Sequence, residues 1–329
     1  MKIVCDDKIP FLRGVFEPYA EVVYLPGAAI CAADVRDADA IVTRTRTRCG
    51  RALLEGSSVR IIASATIGYD HIDTAWCESH GIAWVNAPGC NSGSVAQYIA
   101  SALLALATNH GFDLRGTTLG IVGVGHVGTK VARAAQSLGM RVLLNDPPRA
   151  AAEGHASFVS LDEIIANSDI ITLHVPLTEE TRHLFDASRL ASMRPDQILI
   201  NTSRGEVVDG EALKKALKSH QIKAAVLDVW ENEPNIDPEL AQLVEIATPH
   251  IAGYSLDGKA AGTTAAVRAV AKALGIAELS DFVVKLEPVT PDATQYDVRR
   301  DSARLKSDLS AFEHLRETYP VRREPQFLH

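Results

Sequence analysis

The sequence predicts an α/β protein in two lobes, each built on a doubly wound parallel sheet, with a short C-terminal tail. Three observations point there. Short apolar runs alternate with stretches of helical periodicity along most of the chain, the pattern of βαβ units whose crossovers cover both faces of a sheet. One such run breaks into a glycine-rich turn at residues 123–128. The length of 329 residues, 47% hydrophobic and 22% charged, suits two or three domains of ordinary globular composition.

Taken in order, residues 2–5 read as a buried strand running into Asp6 and Asp7, and residues 11–19 as a helix. Residues 22–25, 38–43 and 59–63 are further strands, and 80–86 another, ended by Ala87-Pro88-Gly89. These units make a small lobe of flavodoxin-like type. Residues 92–107 form a long helix, with Ser92 or Ser94 available as its N-cap and apolar side chains almost all round it, as expected of a helix buried between the lobes. The second lobe continues with strands at 141–145, 170–175, 197–201, 224–229 and 245–248. Residues 263–274 read as a helix returning to the first lobe. Beyond residue 280, Pro288, Pro291, the charged Arg299-Arg300-Asp301 and a helical pattern over 305–319 make a tail too small to fold alone. The expected division is 1–92 with 253–280 as a substrate-binding lid, 93–252 as a cofactor domain, and 281–329 as the tail.

Composition excludes several classes. A net charge of -8 and a pI near 5.8 argue against a nucleic-acid partner, which calls for a basic face. Five scattered cysteines without a CxxC pair suit a reducing cytoplasm and give no sign of disulfides or zinc. The N-terminus turns acidic too soon for a signal peptide, and no apolar stretch reaches membrane-spanning length.

The chemistry starts at Leu119-Gly120-Ile121-Val122-Gly123-Val124-Gly125-His126-Val127-Gly128. In a dinucleotide-binding (Rossmann) turn the first glycine makes the tight bend. The second lets the backbone approach a pyrophosphate, and the third lets helix pack on strand. The pyrophosphate sits at the N-terminus of the following helix, here over His126 and Val127. A bare GxGxxG is weak, but a second apolar run ends at Asp146. A carboxylate there accepts the adenosine ribose hydroxyls and repels the extra phosphate of NADP, so the expected cofactor is NAD.

Three residues follow strands in the same lobe: Arg204 in Asn201-Thr202-Ser203-Arg204-Gly205, Glu233 in Trp230-Glu231-Asn232-Glu233-Pro234, and His250 in Thr248-Pro249-His250. A neutral imidazole suits removal of a hydroxyl proton. A carboxylate beside it fixes its tautomer, and an arginine grips a substrate carboxylate bidentately. A lone histidine after a strand is as a rule packed or solvated; the common sheet raises the odds for these three together. In Thr43-Arg44-Thr45-Arg46-Thr47-Arg48, a continuing strand puts the arginines on one face, where they can meet an anionic substrate. The alternative is a strand end whose charges touch only water. Lys259 is a second cationic candidate. His80 and His110, beside glycines at element ends, read as solvated. Hydride transfer needs no metal, and none is expected.

These motifs, in this order, resemble the D-2-hydroxyacid dehydrogenase family over residues 40–275. The resemblance implies NAD-dependent oxidation of a 2-hydroxy acid, with Arg204 on the carboxylate, Glu233 supporting the histidine and His250 moving the proton. It implies that Asp228 and the backbone of Thr202, Ser203 and Arg204 line the nicotinamide side, with Val175 and Gly253 also beside NAD. Further stretches, Asp146-Pro147-Pro148-Arg149-Ala150 and Gly253-Tyr254-Ser255-Leu256-Asp257-Gly258-Lys259 among them, resemble members that take a phosphorylated 2-hydroxy acid. That resemblance adds Thr45, Thr66 and Tyr254 as substrate contacts and makes residues 66–71, with Asp70 and His71, a substrate loop rather than a metal cluster. It also makes the tail a dimerisation element of a homodimer. Gln97 stands where the wider family tends to carry an acid. Left open are another substrate, such as 3-phosphoglycerate or glycerate, and an NAD-sensing protein without catalysis.

Overall fold

A computed structural model describes residues 1–290 and 294–325. The chain divides into two compact units, Met1–Asn91 with Ser255–Val289 and Ser92–Tyr254 with Thr290–His329. Residues 281–289 of the expected tail therefore belong with the first unit, and its described residues from 290 onward with the second. Residues 291–293 and 326–329 of the expected dimerisation segment lie outside the described residues.

The first unit holds β1 (Lys2–Asp6), β2 (Glu21–Leu25), β3 (Ala40–Thr43), β4 (Ile61–Ser64) and β5 (Ala83–Val85). All pair in parallel in the order β2-β1-β3-β4-β5. This is the flavodoxin-like order, and its switch point lies between β1 and β3. Such a sheet is covered on both faces, so its middle strands are apolar throughout; Ile3, Val4, Ile41, Val42, Ile62 and Ala63 have no accessible surface.

Two expectations fail in this unit. Residues 11–19 are a chain of turns, not a helix. Ile9, Leu12 and Phe16 are buried as the apolar spacing requires, but Phe11 and Gly14 have positive φ and Pro18 cannot donate to the ladder. The returning helix spans Leu256–Leu274 and starts seven residues earlier than 263, because Ser255 caps it by accepting the Gly258 N–H. Gly258 and Gly262 do not break it. A Cβ on Gly262 would stand 2.2 Å from the Ala65 carbonyl oxygen, so close packing beyond β4 demands glycine there.

The second unit holds β6 (Thr118–Val122), β7 (Arg141–Asn145), β8 (Ile170–Leu173), β9 (Ile198–Asn201), β10 (Ala224–Leu227) and β11 (Ile246–Ala247). They form a parallel sheet in the order β11-β10-β9-β8-β6-β7, with its switch point between β6 and β8. The helix Ser92–His110 packs in the core of this unit through Val95, Tyr98, Ile99, Ala102, Leu103 and Leu106. Ser92 opens the helix and Ser94 lies in its first turn; the Ser94 hydroxyl donates to Glu324 of the tail at 2.8 Å. Gln97 donates to the carbonyls of Thr294 and Arg323. Its departure from the wider family anchors the tail.

The tail helices are Val298–Ser307 and Phe312–Glu317, separated at Asp308, in place of one helix over 305–319. Asp308 ends the first and caps the turn that follows by accepting the Ser310 N–H. The tail also covers the edge strand: Ser302 accepts the Ala247 N–H at 3.0 Å, occupying a donor that an open edge would expose. His110 is not solvated but pairs with Glu245 at 2.6 Å. His80 stacks on Trp76 with ring centroids 4.0 Å apart.

Candidate active site

Local backbone rules shape the glycine turn. Gly123 has φ +88° and a Cβ there would stand 2.6 Å from the His174 carbonyl oxygen, so the turn leaving β6 admits only glycine. Gly128 faces the Gly123 carbonyl at 2.1 Å from its ideal Cβ position, the close packing that the third glycine serves. Gly125 is different: no protein atom lies within 4 Å of where its Cβ would be. It begins the helix His126–Ser137 without any side-chain cap and with no acidic residue in the first turn. Exposed Gly125 and His126 and half-buried Val127 thus offer bare N–H groups and open space, which fit a pyrophosphate. Val175 lies across the switch point, 3.0 Å from the Gly123 Cβ position.

Asp146 follows β7 and accepts the Val124 N–H at 2.8 Å and the Arg149 N–H at 3.0 Å, one on each oxygen. Each oxygen keeps a lone pair for a ribose hydroxyl. Arg149, which the sequence reasoning passed over, is the cation nearest this carboxylate in the chain. It is committed to Glu153 by two 2.7 Å bonds and to the Val124 carbonyl, so it is already neutralised. That arrangement suits NAD rather than NADP.

The loops after β9, β10 and β11 carry Arg204, Glu233 and His250. Asn201 forms an Asx-type turn, accepting from the Ser203 N–H and hydroxyl while its amide donates to the Arg204 carbonyl at 2.8 Å. The Arg204 guanidinium is half-buried and donates to the Ser203 carbonyl. The next residue, Gly205, abuts the Trp230 carbonyl carbon, 2.0 Å from its ideal Cβ position. Any side chain there would push the Arg204 loop off the segment that leads to Glu233.

The structure gives the two glutamates of this loop, Glu231 and Glu233, different partners. Glu231 turns toward His183 (2.8 Å) and the Gly210 N–H. Glu233 accepts the Trp230 N–H on one oxygen and meets Nδ1 of His250 with the other at 2.8 Å. Burial pushes the Glu233 carboxyl up, but His250, the Trp230 N–H and the Arg316 guanidinium outweigh it and hold the pKa below the usual glutamate value. A carboxylate at Nδ1 leaves Nε2 as the proton-accepting nitrogen of the neutral ring.

His250 itself has φ +56°, a left-handed conformation costing about 1–2 kcal/mol. Asp228 holds it there. Its carboxylate accepts the Thr248 hydroxyl and the Ile251 N–H on one oxygen and the Ala252 N–H on the other, and its carbonyl accepts the His250 N–H at 2.7 Å. Asp228 was expected to face the cofactor. It is 1% exposed and works mainly as the organiser of the histidine loop, and burial raises its pKa. Tyr98 and Trp230 complete the loop by bonding Thr248. No spacing in the sequence marks Tyr98, which lies 150 residues away. Gly253 and Tyr254 follow directly, both half-buried.

In the first unit, the switch point gathers other expected residues. Arg44 follows β3 and donates to Asp6 at the end of β1 at 3.3 Å. Ser64 donates to the Arg44 carbonyl, and its hydroxyl meets that of Thr66 at 2.9 Å. The strand stops at Thr43, so the expected alternation fails: Thr45, Arg46 and Arg48 are all exposed while Thr47 is buried. The Thr47 hydroxyl donates to the Gly27 carbonyl, which bends the run away from the sheet. The Lys259 ammonium is crowded enough that desolvation, and then the like charge of Arg44, lower its pKa. His71 is buried and its Nε2 has no partner; burial pulls its pKa to about 4. Among the described residues, no group of three or more His, Cys, Asp or Glu could hold a metal ion, and no helix is long and apolar enough to cross a membrane.

Comparison with known proteins agrees with this geometry. Residues 97–252 match the D-isomer specific 2-hydroxyacid dehydrogenase NAD-binding domain. The chain is 50% identical to an erythronate-4-phosphate dehydrogenase of Bacteroides fragilis, over 98% of this chain and 97% of the relative. It is 45% identical to one of Ectopseudomonas mendocina, over 98% and 93%. Among solved structures it is similar to a D-lactate dehydrogenase of Aquifex aeolicus complexed with NAD and lactic acid. That likeness has TM-score 0.72 and 26% identity, and covers 87% of this chain and all of that one. With cofactor turn and histidine loop on one sheet, the chain is an NAD-dependent dehydrogenase and belongs to the D-isomer specific 2-hydroxyacid dehydrogenase family.

Proposed function

We propose that the protein oxidises 4-phospho-D-erythronate at C2 to (R)-3-hydroxy-2-oxo-4-phosphooxybutanoate, a step of pyridoxal 5′-phosphate biosynthesis. The observation that carries the chemistry is the 2.8 Å contact between Glu233 and His250 at the strand ends of an NAD-binding sheet. The substrate rests on the similarity to erythronate-4-phosphate dehydrogenases over nearly the whole chain.

NAD, when bound, accepts the hydride from C2. Gly123, Gly125, His126, Val127 and Gly128 hold its pyrophosphate, Asp146 its ribose, and Val175, Thr202, Ser203 and Gly253 its nicotinamide half. Asp228 keeps one carboxylate lone pair for the carboxamide. Nε2 of His250 takes the C2 hydroxyl proton, and Glu233 stabilises the imidazolium that results. Arg204 pairs with the substrate carboxylate and offsets charge growing on the C2 oxygen. Arg44, Arg46 and Lys259 receive the phosphate, with Thr45, Thr66 and Tyr254 as hydroxyl contacts. The protein works as a cytoplasmic homodimer.

The test is NADH formation followed by absorbance, comparing kcat/KM for 4-phosphoerythronate, 3-phosphoglycerate and glycerate. The proposal expects the first to lead by at least tenfold, about 1.4 kcal/mol in transition-state binding. Equal values, or a lead for 3-phosphoglycerate, would assign a different substrate.

A further inference from the structure

We propose that Arg322, near the end of the tail, is a positioning residue for His250. The residue is 6% exposed. Nη2 donates to the carbonyl of Ala252 in a short bond, to that of Ile251 at 3.3 Å and to that of Ser94 at 3.5 Å. The group lies over the Tyr296 ring at 4.5 Å and near the Tyr319 ring at 5.8 Å, while Nε and Nη1 have no partner. A buried guanidinium so thinly paired is a poor source of stability. What it does is fix the two carbonyls that follow the histidine.

The loop is therefore held from two sides. Asp228 takes the N–H groups of Ile251 and Ala252, and Arg322 takes their carbonyls. Neither contact reaches the reacting atoms. Together they hold the left-handed backbone that aims the ring at Glu233. The rest of the tail grips the flanks: Leu315 and Tyr319 line a small cavity with Pro249, and Tyr319 packs edge-on against Tyr254 with centroids 5.9 Å apart. Glu324 ties the same segment to Ser94. The tail thus belongs to the proton-transfer apparatus, whatever it contributes to assembly.

This inference rests on the assignment of His250 as proton carrier, and its test has an arm that does not. In the full-length chain, Arg322→Ala and Arg322→Lys are compared with wild type for kcat, for KM of NAD and hydroxy acid, and for NADH-binding stoichiometry. The ring Nδ1–H signal of His250 is followed by NMR on 15N-labelled protein. Displacing a catalytic group by an ångström costs up to about 100-fold. The expected result for Arg322→Ala is a 10- to 100-fold fall in kcat with both KM values within about threefold of wild type. Added guanidinium should restore part of the rate, and the Nδ1–H signal should shift and return with it. Arg322→Lys keeps charge and stem, serves if the alanine variant does not fold, and should lose less. A folded variant with full NADH stoichiometry, kcat within twofold and an unmoved His250 signal overturns the proposal. If wild type itself turns over no hydroxy acid, the function above fails, while the His250 signal still decides this point.

Discussion

The ends of the two parallel sheets solve different problems with the same topology. After β10 and β11, nearly every polar group is spoken for: Asp228 serves four donors when its carbonyl is counted, and Glu233 two. The histidine among them is held in a conformation it would not choose alone. After β3 the loop is more open: Thr45, Arg46 and Arg48 are exposed, and the Thr43 hydroxyl is buried without a partner. Proton transfer depends on tenths of an ångström and needs a saturated loop. Capture of a charged group needs only cations within reach, because Coulomb attraction falls slowly with distance. The contrast predicts that substitutions after β10 and β11 lower kcat, whereas those after β3 raise KM.

The sharpest break would come at His250. His250→Ala removes the proton acceptor and should lower kcat by about 10²- to 10⁴-fold, with NADH affinity by fluorescence titration unchanged. Arg204→Lys should come next, losing about 10- to 100-fold in kcat/KM because an ammonium cannot reproduce the planar fork. Steady-state kinetics against carboxylate-bearing substrates checks it. On the other side, Lys259→Gln should raise KM for the phosphorylated acid about tenfold and leave kcat and the KM for glycerate nearly unchanged. A fall in kcat there would erase the distinction between the two sheet ends.

A further effect concerns stability rather than turnover. His174, joined to the Thr172 and Thr202 hydroxyls, is desolvated so strongly that its pKa drops to about 3. An unfolded histidine binds its proton near pH 6.5. The stability carried by the neutral ring is therefore complete above that pH and is lost progressively as pH falls toward 3. Its acid loss should be on the order of a few kcal/mol. In His174→Gln, denaturant unfolding at pH 4 and pH 7 should differ by less than in wild type.

Much of this was legible in the sequence, because the signals were local. The glycine turn, Asp146 and the strand-end motifs lie within a few residues of the elements that position them. The helix expected over 11–19 failed because apolar spacing does not reveal the positive φ of Phe11 and Gly14. The Thr-Arg run misled because a buried Thr47, bonded 20 residues away to Gly27, ends the alternation. Asp228 was seen as important, but not that it serves the loop first. Tyr98 and Arg322 were out of reach: their partners lie 150 and about 70 residues away, and no periodicity encodes such pairs.

The most direct measurement is a single turnover, with enzyme in excess over NAD and 4-phosphoerythronate added, followed by NADH absorbance. A stoichiometric rise is expected in wild type, and one slowed by at least about 100-fold in His250→Ala although that variant still binds NADH. NADH binding without any absorbance rise from a hydroxy acid in wild type, or a rise in His250→Ala at the wild-type rate, would contradict that.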